Sequence, residues 1–157
     1  MIESAWRSAW IWFHTSLIVG GVVGLIVAFS TAVMYLVLAA QLKSKKFESF
    51  FFKLPSLEAL DQIHFRCLSW GVVLFTLGLL SAFFWAENQN ALGKVLRDPK
   101  IILSFLTISM YWAVLSFRLT AASRGQKIAV GTVISFLLLL GMLVSSGAAP
   151  SWYHRGT

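Results

Sequence analysis

WIWFHTSLIVGGVVGLIVAFSTAVMYLVLAAQL, residues 10–42, contains no charged side chain. About 20 apolar helical residues cross the hydrocarbon core of a bilayer, so this stretch crosses it with length to spare, by tilting or by carrying turns of helix beyond it. Trp6, Trp10, Trp12 and Phe13 gather at its start, where aromatic rings settle at headgroup level. Arg7 is the only base nearby and no A-x-A-like exit follows, so a retained helix is expected, not a cleaved leader. Ser16, Gly20, Gly24, Ala28 and Ala32 recur at every fourth position. Such a row of small side chains is expected to admit the backbone of a second helix.

Outward from this span the pattern repeats. Lys43, Lys45 and Lys46 end it, and FESFFFKLP (47–55) interleaves phenylalanines with Glu48 and Lys53 as an interfacial segment does. Ser56 is expected to cap SLEALDQIHFR, an amphipathic stretch with Glu58 in its first turn, where the helix dipole favours a carboxylate. It leads into a second uncharged span in which Gly71 and Gly78 share a face. Asp98-Pro99 reads as a helix start. The spans predicted are 11–42, 67–86, 101–117 and 128–146, in a single membrane domain over 1–157. The expected fold is all-α: a polytopic membrane protein of four transmembrane helices, with a short interfacial amphipathic helix between the first and second.

The totals agree. A chain 58% hydrophobic and 12% charged, with a mean hydropathy of +0.78, lies outside the range of soluble domains. The net charge of +7 would suggest nucleic acid in a soluble protein, but here the bases flank apolar segments, so the expected partner is a lipid bilayer. Cys67 is the single cysteine and permits no internal disulfide. The two turns after the first and third spans carry eight bases, Lys43, Lys45, Lys46, Lys53, Arg66, Arg118, Arg124 and Lys127, against five on the other side. The positive-inside rule then places both termini and residues 87–100 outside the cytoplasm. Arg118 and Arg124 read as topology determinants, and His64, near Asp61 and Arg66, as a solvated or interfacial residue.

The polar connection WAENQNALGKVLRDPK (85–100) is the candidate functional region, because this topology brings His14 and His154 to the same face. Imidazole is the usual nitrogen ligand of haem iron, so the pair is a candidate bis-histidine metal site, while histidine in an aromatic belt is also ordinary. Trp85 reads either as a platform for a flat ligand or as a headgroup anchor. Lys94, Arg97 and Lys100 suit haem propionates or lipid phosphates equally. No Ser/His/Asp, HExxH, CxxC or phosphate-binding glycine motif is present, so catalysis has no visible apparatus. No charged residue falls within a predicted span, which argues against a transporter.

These residues together resemble the C-terminal half of the cytochrome c assembly family, the CcsA/ResC and HemX-like membrane proteins. The resemblance is carried by Trp12, Phe13 and His14, by Leu54, Pro55, Leu57, Glu58, Leu60, Asp61, Phe65 and Arg66, by Gly71, Thr76, Leu77 and Gly78, and by Trp85, Ala86, Asp98, Pro99 and Lys100. It implies haem handling at the extracytoplasmic face of a membrane, the bacterial inner membrane in the first instance. His14 matches the family's first periplasmic histidine, and Gly147 to His154 fits its second histidine segment loosely. The family's haem loop is rich in tryptophan. Here none lies between Ala86 and Tyr111, and Arg97 stands before Asp98 where the last would be. The family's earlier spans have no counterpart, so other membrane chains are expected to supply helices. The alternative expectation is a non-catalytic accessory subunit of a larger respiratory or photosynthetic membrane complex that has lost haem handling.

Overall fold

In hydrocarbon a backbone must satisfy its own hydrogen bonds, so each uncharged stretch has the helix as its available form. The computed structural model describes the backbone of residues 2–44, 56–88, 99–120 and 125–148, and the side chains of 6–43, 56–85, 101–120 and 125–144. Among the described residues there are four helices: α1 (Ile2–Ser44), α2 (Leu57–Asn88), α3 (Pro99–Thr120) and α4 (Gln126–Ala148). All four are long and apolar enough to cross a membrane. The 43 residues of α1 measure roughly 65 Å at 1.5 Å per residue, against a hydrocarbon core of ~30 Å.

The expected ends recur. Ser56 caps α2, its Oγ accepting from the Ala59 amide at 3.2 Å and its carbonyl from Leu60 at 3.0 Å. The amphipathic stretch 57–66 is not a separate interfacial helix; it is the opening of α2, continuous with the second span. Residues 47–55 lie outside the described residues. Pro99 opens α3. Gly125, at φ +107°, turns the chain into α4 with a backbone conformation that strains any side chain, and a Cβ there would also have to displace the Tyr35 hydroxyl.

The α1–α2 pair is the most extensive contact. Its rungs are Trp10 on Trp85, His14 on Ser81, Ile18 on Gly78, Gly21 on Phe75 and Leu25 on Gly71, which makes the helices antiparallel in one register. A Cβ on Gly21 would lie 2.7 Å from the Phe75 amide nitrogen, and one on Gly24 would lie 3.0 Å from the Gly71 Cα. The backbones touch there, and no side chain can yield to make room.

The small-residue row holds in its second half, where Gly24 meets Gly71 and Ala28 and Ala32 are fully buried, while its first members stand aside. Residues four apart on a helix advance about 40° each step, so a strict row of four winds away from any straight neighbour. Ser16 is exposed and bonds back to the Trp12 carbonyl at 2.8 Å, and Gly20 makes only ordinary contact with Leu74. The buried seam alternates steps of three and four, as left-handed helix pairs do, and takes in Gly21 from outside the row.

The other pairs close a ring. Phe29 stacks on Phe136 at 4.2 Å between α1 and α4, and Val114 meets Gly131 between α3 and α4. Phe83 meets Phe105 at 5.2 Å and Trp112 Nε1 donates to Thr76 Oγ1 at 3.1 Å between α2 and α3. Successive helices are antiparallel, so α1 and α3 begin at the end of the bundle where α2 and α4 finish. The outward surface is apolar, with Val19, Val23, Leu80, Ile102, Leu137 and Val144 exposed, while Thr107, Thr132 and Ser135 are fully buried. Lipid, not water, fits such an exterior, and the protein is an integral membrane protein.

Gly21→Ala is expected to lower stability in detergent by about 1–3 kcal/mol, the usual cost of overpacking. Gly141, with nothing within 4 Å of a Cβ, should accept Ala without loss. Equilibrium unfolding of the two variants in mixed micelles measures the contrast.

Candidate functional site

At the end where α1 begins, two rungs of the α1–α2 ladder lie one turn apart. Trp10 and His14 are four apart on α1, and Ser81 and Trp85 are four apart on α2, so each pair shares a face of its helix. His14 is half-buried, and its Nδ1 lies 2.8 Å from Ser81 Oγ. Ser81 is itself 8% exposed and donates to the Gly78 carbonyl at 2.7 Å. The Trp10 ring is offset-stacked on Trp85, with centroids 6.0 Å apart, and lies 5.9 Å from Phe84 and 6.2 Å from Phe13. Trp6, Ala9, Trp10 and Phe13 line an apolar hollow of about 240 Å³ on the turns leading up to His14.

Of the residues singled out from the sequence, His14 and Trp85 stand at this end together. Lys100 belongs to the first turn of α3, which starts there as well, but its side chain lies outside the described residues, as do Lys94, Arg97 and His154. Trp85 has the Trp10 ring stacked on it, which neither reading foresaw.

The opposite end holds two features that the sequence reading placed differently. Arg118 is not simply a flanking charge. Its guanidinium grips Asp61 through two bonds of 2.7 Å, reaches the Asp61 carbonyl at 3.3 Å, and lies 4.7 Å over the Phe65 ring. The two side chains are only 10% and 18% exposed. A charged pair is thus largely withdrawn from solvent between α2 and α3, and it ties those helices together. The pair lines an open cleft of about 510 Å³ with Glu58, Gln62, Phe65 and Arg66. His64 is not solvated: it is 3% exposed, and Nε2 lies 3.0 Å from Thr132 Oγ1 across the bundle on α4. Among the described residues no three His, Cys, Asp or Glu side chains converge as a metal cluster.

Ser81 and Thr132 went unremarked in the sequence, and Trp10 was read only as one ring of the headgroup cluster, not as the partner of Trp85. Ser81 and the Trp10 pairing had a signal: once Gly71 is set against Gly24, antiparallel counting puts Ser81 beside His14 and Trp85 beside Trp10. Thr132 had none, since nothing local says which helix lies across the ring from His64.

With this geometry in place, comparison with known proteins is informative. The sequence profile of the family described as cytochrome C assembly protein matches residues 1–147. The cytochrome c biogenesis protein CcsA of Chlamydomonas reinhardtii is 28% identical over 138 residues, 86% of this chain and 37% of that protein. CcsA of Guillardia theta is 28% identical over 88% of this chain and 52% of its own length. Protein HemX of Brevibacillus brevis is 32% identical over 68% of this chain and 39% of its own length. The chain therefore spans about half, or less, of the length of these curated relatives. No solved structure matches.

Arg118→Ala is expected to destabilise the bundle by on the order of 3 kcal/mol, because it removes the guanidinium that two bonds of 2.7 Å hold against the largely buried Asp61 carboxylate. The double variant Asp61→Leu/Arg118→Met should recover most of that loss. Unfolding in detergent of the two singles and the double, as a double-mutant cycle, measures both.

Proposed function

The chain belongs to the cytochrome c assembly protein family, and from that premise we propose that it handles haem in cytochrome c maturation, holding or presenting it at the bundle end where α1 begins. The observation that carries this reading is His14: a half-buried imidazole, anchored at one nitrogen by Ser81, beside a cluster of aromatic rings. A porphyrin needs an axial nitrogen and an apolar wall, and the residues present fit both needs. As cargo, haem would bring an iron that takes imidazole and propionates that take cations.

In this reading His14 and His154 would hold the haem iron, Trp85, with Trp10 stacked on it, would form part of the apolar wall, and Lys94, Arg97 and Lys100 would meet the carboxylates through charge-assisted bonds. The eight bases at the other end of the bundle support an orientation in which the His14 end faces away from the cytoplasm. The competing reading, an accessory subunit of a larger complex without haem, draws on the absence of tryptophan between Ala86 and Tyr111 and on the partly covered Trp85 ring.

Protein extracted in mild detergent is expected to show a Soret band, weakened at least tenfold in His14→Ala and abolished in His14→Ala/His154→Ala. A chain that takes no added haem, yet purifies with a stoichiometric membrane partner, carries the accessory reading instead. Alkaline phosphatase fused to the C-terminus is expected to be active, and an inactive fusion reverses the orientation.

A further inference from the structure

We propose that Ser81 is a positioning residue that fixes the proton of neutral His14 on Nδ1 and so leaves Nε2 as the nitrogen with the lone pair. The inference deepens the haem-handling reading and rests on it for the identity of the metal, but the tautomer stands on the geometry of this chain alone.

A serine hydroxyl has one hydrogen, and Ser81 Oγ makes two short polar contacts. One is to the Gly78 carbonyl oxygen at 2.7 Å, the other to His14 Nδ1 at 2.8 Å. A carbonyl oxygen cannot donate, so the first contact is attractive only with the serine hydrogen in it. The second must then draw its hydrogen from the imidazole, which puts the proton on Nδ1. With the proton on Nε2 instead, the serine hydrogen would have to serve Nδ1, and two oxygens would face each other at 2.7 Å lone pair to lone pair. Ser81 is 8% exposed, so water cannot repair that loss.

The other described imidazole shows that the logic is site-specific. His64 Nε2 lies 3.0 Å from Thr132 Oγ1, whose own hydrogen goes to the Ile128 carbonyl at 3.0 Å. By the same reasoning His64 carries its proton on Nε2, the opposite nitrogen, in a ring that is 3% exposed. One histidine is locked into the protein. The other is half-buried at a bundle end, anchored through Nδ1, with the nitrogen that histidine commonly offers a metal left unprotonated. Outer partners of this kind orient a ligating imidazole and raise its basicity.

The test begins on the haem-free chain. Long-range proton–nitrogen correlation spectra of protein labelled with ¹⁵N-histidine, in detergent at alkaline pH, report the tautomer of each ring, with His154→Ala removing the third signal. His14 is expected as Nδ1–H and His64 as Nε2–H. Ser81→Ala should move His14 toward the Nε2–H form that free histidine prefers, leaving His64 unchanged as the sign that the bundle is intact, and Ser81→Thr should restore the native pattern. His14 found as Nε2–H in the unmutated chain, a result that needs no variant to fold, overturns the proposal. So does an unchanged Nδ1–H in Ser81→Ala. Titration with haem then separates the two readings. Ser81→Ala should weaken binding about 10- to 100-fold, the usual effect of losing such a partner. Equal affinity in native protein and variant removes the positioning role, whereas no binding to either removes the haem reading and leaves the tautomer assignment to the spectra.

Discussion

Backbone contact between α1 and α2 is the constraint from which the rest of the bundle follows. Lipid tails are as apolar as leucine, so two helices in a membrane gain little from hiding apolar surface from each other and must rely on close packing and hydrogen bonds. Gly21, Gly24 and Gly71 provide the close packing, because the two main chains approach within about a Cβ's contact distance at those points, and Gly78 makes room for the Ile18 side chain. Glycine seams of this kind act as a register key. Sliding one helix by a turn would bring side chains where no side chain fits, so the rungs further along are determined as well. Two of them are His14 on Ser81 and Trp10 on Trp85. The candidate site is the far end of a zipper whose teeth lie in mid-membrane.

Polar groups inside the bundle obey the same economy of partners. Thr31, Thr76, Thr107, Thr132 and Ser135 each return a hydroxyl hydrogen to a carbonyl of their own helix. Having spent that hydrogen, Thr132, Thr76 and Ser81 are left with an oxygen that accepts, and each takes a nitrogen donor from a neighbouring helix: His64, Trp112 and His14. An intrahelical bond therefore decides the direction of the interhelical one. The charged pair, Asp61 with Arg118, sits toward the end of α2 and α3 opposite to His14, where the cost of withdrawing charge is smaller than in mid-span.

Much of this was legible before any coordinates. Uncharged stretches, the Ser56 cap, the Pro99 start and the shared face of Gly71 with Gly78 are local features, and each recurred in the fold. Errors came where the reading depended on what lies opposite. That Arg118 also pairs with a carboxylate was not legible, because Asp61 is 57 residues away. His64 looked solvated because Asp61 and Arg66 share its helix, whereas the face it presents meets α4. Of the row from Ser16 to Ala32, Gly24, Ala28 and Ala32 do lie in the seam, whereas Ser16 stands outside it and Gly21 joins from beyond the row, because a straight partner selects alternating steps.

By itself the sequence determined four stretches long and apolar enough to cross a membrane and their order, because length without charge is a one-dimensional quantity that a bilayer reads directly. It also determined the family. Only the tertiary structure decided which atoms meet: that Ser81 stands under His14, that Trp10 covers Trp85, and that Asp61 holds Arg118. The reason is that a transmembrane helix is apolar on every side, so its sequence carries little record of which face is turned inward, and that choice is made by the few places where two backbones can touch.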